Sequence, residues 1–251
     1  MIIKNNYWFF SSALSKLFCE KIINLGLEKI RIEKEKGINT KAITFGHMEK
    51  SLEKNISIED NTWQNIKNND KNKYYVRDSE VTWFDDNWIY EEIVPYINIA
   101  NFRAGWKYNI DTFESFQFTV YNSPGGFYGW HSDMESDHNS IMKRYIYGVT
   151  EVPLSENEQI PNGYTKNENL IGKIRKLSLT INLTEPQNYE GGNLKFDLGS
   201  HTKGEQFVEC VEARNQGTII VFPSYLYHCV TPVTKGTRYS LVLWCSGEPF
   251  K

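Results

Sequence analysis

From Asn109 onward the chain runs in short stretches that alternate apolar and polar residues, punctuated by Gly, Pro and Asn. This pattern confines that part of the molecule to a β-sandwich or barrel. In FESFQFTVY, Phe116, Phe118 and Val120 fall on one face of a strand, and Gln117, Thr119 and Tyr121 on the other. LSLTINL sets Leu177, Leu179, Ile181 and Leu183 against Ser178, Thr180 and Asn182. RYSLVLW sets Tyr239, Leu241 and Leu243 against Arg238, Ser240, Val242 and Trp244. Each strand thus offers an apolar face for helices to cover and a second face that carries polar groups. A barrel with polar interior positions is a barrel with a pocket.

The first 108 residues read as a helical and loop elaboration of that barrel. Apolar residues recur at helical spacing from Ser12 to about Ile32 (Leu14, Leu17, Phe18, Ile22, Ile23, Leu27, Ile30), which predicts an amphipathic helix. A second helix is expected from about Trp83 to Trp106, kinked or divided at Pro95. Between them, residues 33–73 are polar and predict loops, with one strand-like piece at Lys41 to Phe45. The turn-rich segment from Glu135 to Arg175 is long for a connection and reads as a lid.

At 251 residues the chain suits one domain with a full core, and a formal charge of -3 gives no electrostatic pull towards nucleic acid. The apolar start breaks at Ser11 and Ser12 before reaching signal-peptide length, and no run approaches a membrane span. Cys19, Cys210, Cys229 and Cys245 form no CxxC pair, so a reducing, cytoplasmic setting is the expectation, with the thiols as buried scaffold.

The chemistry concentrates in FYGWHSDMES and FPSYLYHCV. His131 and Asp133 lie two apart, and on a strand such residues face the same way. His228, ninety-five positions after Asp133, supplies a second imidazole. Two neutral nitrogens and one carboxylate on one side of an octahedron leave positions open, the facial arrangement of non-haem iron(II) centres. Arg238 follows His228 by ten residues across TPVTKGT, and Pro232 and Gly236 predict an antiparallel hairpin that sets the two side chains opposite each other. A guanidinium there suits bidentate capture of a carboxylate, with Ser240 on the same face; bridging a surface carboxylate is the plainer alternative. Tyr121 is either a barrel-wall aromatic or a phenol aimed at a bound ligand. Tyr128 is out of phase with His131 unless Gly129 bends the strand, and Trp130 faces away. His47, His138 and His201 read as solvated or loop histidines, with His138 also a candidate substrate contact because it falls in the lid.

VYNSPGGFYGWHSD, then KIRKLSLTINLTEPQNYEGGNLKF, then GTIIVFPSYLYHCVTPVTKGTRYSLVLW together resemble the iron(II)- and 2-oxoglutarate-dependent oxygenases, in particular the prolyl 4-hydroxylase-like branch that includes the PKHD-type hydroxylases. The resemblance covers most of residues 116–245. The helical N-terminal portion and the ending GEPFK are also similar to small members of that group, some of them encoded by bacteriophages.

The resemblance implies a mainly β fold, a double-stranded β-helix or distorted jelly roll with helices packed on the outer face of one sheet. It implies His131, Asp133 and His228 as iron ligands, Arg238 on the distal carboxylate of 2-oxoglutarate, and Tyr121 hydrogen-bonded to that co-substrate. Ser240, Thr180 and Trp244 would line the same wall, while Gly191 and Gly192 would form the glycine turn before a barrel strand. Fe(II), 2-oxoglutarate and dioxygen are the implied cofactors, with ascorbate as a reductant. The implied reaction hydroxylates an unactivated C–H bond, on a peptidyl proline or similar side chain or on a small molecule, and releases succinate and carbon dioxide. Two alternatives stay open: oxidative modification of a nucleic acid or nucleotide, and a non-catalytic jelly-roll binding module.

Overall fold

The computed structural model describes residues 5–46, 74–134, 141–146, 149–150, 160, 163–199 and 206–250. In chain order the elements are β1 (Trp8–Phe10), α1 (Lys16–Glu35), β2 (Lys41–Gly46), β3 (Tyr74–Phe84), α2 (Asn87–Arg103), β4 (Thr112–Phe113), β5 (Phe116–Asn122), β6 (Phe127–His131), β7 (Lys143–Arg144), β8 (Tyr164–Thr165), β9 (Ile174–Asn182), β10 (Tyr189–Gly191), β11 (Leu194–Asp197), β12 (Phe207–Glu209), β13 (Ile219–Pro223), β14 (Tyr227–Val230) and β15 (Val233–Gly247).

The strands join into one curled antiparallel sheet in the order β1-β13-β9-β15-β5-β3-β6-β14-β11-β12, with β2 on β3 and both β4 and β10 on β15. The hinge of the curl is β3. It pairs with β5 from Glu80↔Val120 to Phe84↔Phe116, and with β6 through Arg77↔Tyr128 and Asp78↔Phe127. Two walls result, β13-β9-β15-β5 and β6-β14-β11, which face each other across a cleft. This is the jelly-roll architecture expected for the barrel.

Helices α1 and α2 cover the outer face of the first wall. Phe116, Phe118, Leu177, Leu179, Ile181, Leu241 and Leu243 from the strands meet Cys19, Ile22, Ile89, Ile93 and Ile97 from the helices in the main core. The predicted alternation of β5, β9 and β15 therefore holds. The start of α1 is set by Ser15, whose Oγ accepts a hydrogen bond from the Phe18 amide at 3.1 Å. Its buried stripe is Cys19, Ile22, Gly26 and Ile30, whereas Leu17 and Leu27 are exposed. A Cβ built on Gly26 would lie 2.3 Å from the Phe118 ring, so the helix approaches the sheet as closely as it does only through glycine.

Three expectations are corrected. The second helix starts at Asn87, because Trp83 and Phe84 complete β3, and it continues unbroken through Pro95. The stretch before residue 109 holds the strand expected at Lys41 to Phe45, as β2, and also contributes β1 and β3, and so is more than helix and loop. The signal of β3 was masked because both of its faces carry polar residues. Outward, Thr82 Oγ1 donates to Glu33 at 2.9 Å and Lys34 pairs with Glu80 at 2.7 Å; inward lie Arg77 and Ser79. Finally, β14 and β15 are not a hairpin. His228 sits opposite His131 and Phe196, whereas Arg238 sits opposite Tyr121, so Thr231 and Pro232 carry the chain from one wall to the other.

Of the segment expected as a lid, β7 and β8 form a small parallel pair, and Ile174 and Arg175 already belong to β9. His47, His138 and His201 lie outside the described residues. No helix among the described residues is long and apolar enough to cross a membrane.

Candidate metal centre and cleft

His131 ends β6, His228 stands directly opposite it on β14, and Asp133 follows two residues after His131. Nε2 of His131 lies 3.4 Å from one Asp133 oxygen, and Nε2 of His228 lies 3.6 Å from the other. All three ligand atoms fall within 4.8 Å of one another. Each imidazole is oriented by its own strand: Nδ1 of His131 is 2.7 Å from the Gly129 carbonyl, and Nδ1 of His228 is 2.9 Å from that of Leu226. A carbonyl only accepts, so Nδ1 carries the proton and each Nε2 lone pair faces the shared point.

Burial pushes the Asp133 carboxyl up, but His228, His131 and Arg175 outweigh it and hold the group below the usual carboxylate range. Burial, followed by His131, lowers His228 to about 4. At neutral pH an anionic carboxylate therefore meets a neutral His228 imidazole, and Arg175 is the influence on Asp133 that stays charged throughout. An anionic carboxylate and two imidazole nitrogens turned on one point form a donor set that a divalent cation completes. The donor set fits such an ion.

The loop bearing Asp133 is pinned on both sides. Ser132 Oγ and the Met134 amide both donate to the Ser224 carbonyl, at 3.0 and 3.1 Å. Arg175 Nη1 donates to the Asp133 carbonyl at 3.3 Å while its Nε and Nη2 hold Glu114 at 2.7 and 2.6 Å. No sequence signal pointed to Arg175, because strict alternation places it on the outer face with Leu177 and Leu179. The structure reverses that phase with a register shift opposite Cys245 and Ser246.

At one end of the cleft Arg238 is 2% exposed, and its Nη1 has no hydrogen-bond partner. No carboxylate pairs with it among the described residues. Its guanidinium carbon lies 5.5 Å from the Tyr121 ring, and its stem passes so close to Gly192 that a Cβ there would meet Cδ at 2.9 Å. A buried cation without an anion is costly, so this end is built for an anionic ligand. Thr180, Ser240 and Trp244 line the same cleft, together with Leu194, Phe222, Val230 and Val242. The three metal-ligand candidates thus share one cleft with Arg238, Tyr121, Ser240, Thr180 and Trp244.

Tyr128 stacks on His131 with ring centroids 3.6 Å apart and planes 14° from parallel. The irregular pairing of β6 with β14 re-aims it, the bend that Gly129 allowed for. Trp130 faces away, against Phe207 at 5.2 Å. At the far end Trp244 is 6% exposed with an unpartnered Nε1, flanked by Trp83 at 6.0 Å and Arg175 at 4.0 Å. Arg77 and Gln117 also line the cleft; the inward phase of Gln117 was readable, whereas Arg77 lay on the strand with no alternating pattern.

Comparison with known proteins agrees with this architecture. The model of the 2OG-Fe(II) oxygenase superfamily matches residues 116–246. A PKHD-type hydroxylase of Alteromonas mediterranea is 43% identical over 68 residues, 27% of each chain. The PKHD-type hydroxylase YbiX of Escherichia coli is 28% identical over 120 residues, 42% of this chain and 50% of that one. The chain thus spans half or less of the length of these relatives. Among solved structures, a Pseudomonas putida prolyl-4-hydroxylase superposes with a TM-score of 0.53 at 15% identity, covering 98% of this chain and 95% of that one. The viral collagen prolyl hydroxylase of Paramecium bursaria Chlorella virus-1 gives 0.52 at 18% identity, covering 97% of both chains. At such identities the structural likeness concerns the fold alone, but the family match spans more than half of the sequence: the chain belongs to the 2OG-Fe(II) oxygenase superfamily.

Proposed function

We propose that this chain acts as one catalytic domain, an Fe(II)- and 2-oxoglutarate-dependent dioxygenase that hydroxylates an unactivated C–H bond on a peptidyl proline or similar side chain. The observation that carries the reading is the convergence in one cleft of an inward-facing His131–Asp133–His228 set and the buried guanidinium of Arg238. Fe(II) with 2-oxoglutarate and dioxygen supplies the oxidising chemistry, in which one oxygen atom enters the substrate C–H bond and the other enters succinate as carbon dioxide leaves.

The residues of the chain perform the remaining tasks. His131, His228 and Asp133 hold the iron, each imidazole kept in its ligating tautomer by a carbonyl of its own strand. Arg238 binds the distal carboxylate of the keto acid and fixes its pose, with Tyr121 as a phenol donor and Ser240 and Thr180 along the wall. Leu194, Phe222, Val230 and Val242 exclude water from the reacting atoms. Trp244 closes the wall at the opposite end. The prolyl substrate is suggested by the prolyl hydroxylases that share the fold.

The test is anaerobic titration with Fe(II) followed by 2-oxoglutarate. A visible charge-transfer band should appear, and slow succinate formation in air should vanish in His131→Ala. A protein shown to be loaded with iron that gives no band would overturn the reading. A mass-spectrometric search for gain of one oxygen across proline peptides, lysine peptides, free amino acids and nucleotides then identifies the substrate.

A further inference from the structure

Arg77 is the second unneutralised cation of the cleft. It is 7% exposed, and the groups that hold it are all neutral: Nε donates to Ser79 Oγ at 2.9 Å, Nη2 donates to Gln117 Oε1 at 2.7 Å, and the guanidinium lies 4.5 Å from the Tyr128 ring. No carboxylate pairs with it among the described residues. These contacts fix the plane of the guanidinium. Because Tyr128 is stacked on His131, the charge stands one aromatic ring away from a metal ligand.

Arg77 and Arg238 are anchored at different points along one cleft. Arg238 stands opposite Tyr121 on β5, and Arg77 is anchored at Gln117, four residues along the same strand. Four residues of strand span about 13 Å. A five-carbon diacid is about as long as two extended residues, roughly 7 Å. With 2-oxoglutarate placed between Arg238 and the metal, Arg77 is the cation left to face the substrate. Gln117 lies opposite Val242, two residues from Trp244, whose Nε1 is the other unpartnered donor of the cleft. Charge points the same way. A divalent ion, Asp133, the 2-oxoglutarate dianion and Arg238 cancel, Arg175 is cancelled by Glu114, and Arg77 remains with one positive charge.

We infer that Arg77, fixed by Gln117 and Ser79, is a specificity-determining residue that binds a carboxylate of the substrate. The inference rests on the oxygenase reading above and assigns its substrate a carboxylate. That carboxylate is either the terminal group of a free amino or imino acid or an acidic side chain within a peptide.

The experiment uses the full chain loaded with zinc(II) and 2-oxoglutarate, so that Arg238 is already engaged. The loaded protein is titrated with acetate, and in parallel with acetamide, while arginine Nε–Hε resonances are followed by NMR. One resonance should shift saturably, with acetate preferred over acetamide by about tenfold or more, as expected for hydrogen bonds to a charged acceptor. Its disappearance in Arg77→Gln assigns it, and Arg77→Lys assigns it equally should the glutamine variant not fold. No saturable shift, equal shifts with acetamide, or a shift that persists in the variants overturns the proposal. Succinate release is then compared between free amino acids and their amides, and between capped peptides with Asp or Glu and those with Asn or Gln. A preference of about tenfold in one set names the source of the carboxylate, and none in either overturns the proposal. Failure of zinc and 2-oxoglutarate to bind at all sinks the oxygenase reading instead, so the two failures are distinguishable.

Discussion

Replacing Arg238 by Met should move stability and ligand affinity in opposite directions. The guanidinium is 2% exposed with an unpartnered Nη1, so in the ligand-free protein it is a buried charge with its desolvation uncompensated. Methionine keeps the stem packed between Tyr121 and Gly192 and removes the charge. Exchanging buried charge for apolar volume stabilises by about 1–4 kcal/mol, which for a chain of this size raises Tm by about 2–4 °C per kcal/mol. In the proposed role of Arg238 the same change deletes two charge-assisted hydrogen bonds to the keto acid. At about 1.5 kcal/mol each this totals about 3 kcal/mol, a roughly 150-fold weaker Kd. Thermal unfolding with zinc(II) bound, with and without 2-oxoglutarate, reads both effects. At one hundred times the wild-type Kd the keto acid stabilises the wild type by about 2.7 kcal/mol, and the variant by about 0.3 kcal/mol. The ligand-induced shift should therefore nearly disappear from a variant that melts higher on its own. A variant that melts lower without ligand yet keeps its full ligand-induced shift would show that Arg238 is structural and that the keto acid binds elsewhere.

Gly26→Ala should cost about 1–3 kcal/mol in spite of alanine's better helix propensity, because the new Cβ would lie 2.3 Å from the Phe118 ring; chemical denaturation showing a gain in stability would refute the close contact of α1. Glu114→Ala should cost about 3 kcal/mol by leaving Arg175 unpaired in a largely buried site, and should weaken cobalt(II) binding, because the Asp133 carbonyl loses a firmly placed donor. Unchanged cobalt affinity would show that the Arg175 contact does not position the metal loop. All four cysteines are buried, and burial raises the Cys19 thiol to about 11 and the Cys210 thiol to about 12, so at pH 8 those two stay protonated. A thiol reagent should count none in the native protein and four after denaturation; rapid labelling of the folded chain would contradict the packing of α1 and β15.

The barrel strands and most of the cleft were legible because a strand's side-chain period is two. Phe118, Leu179 and Leu241 had to face one way, and Gln117, Thr180, Arg238 and Ser240 the other, whatever the topology. Legibility failed where neither face was apolar or where the period was broken. β3 carries Arg77 and Ser79 inward and Glu80 and Thr82 outward, so its alternation has no hydrophobic contrast, and the hinge of the sheet went unread. Arg175 enters the site only through a register irregularity in β9. The hairpin expected between His228 and Arg238 used the right turn residues, but Thr231 and Pro232 carry the chain between walls rather than back along one.

What the sequence by itself determined was therefore chemical inventory and phase: two imidazoles, a carboxylate and a guanidinium, each assigned to the inner side of a strand. What only the tertiary structure decided was distance. Pairing of β3 with both β5 and β6 closes one wall onto the other and sets Arg77 beside Tyr128 and His131. The reason is physical: the direction of a side chain follows from the local backbone, whereas convergence of remote segments depends on which edges hydrogen-bond, and that is settled by the burial of the whole sheet at once.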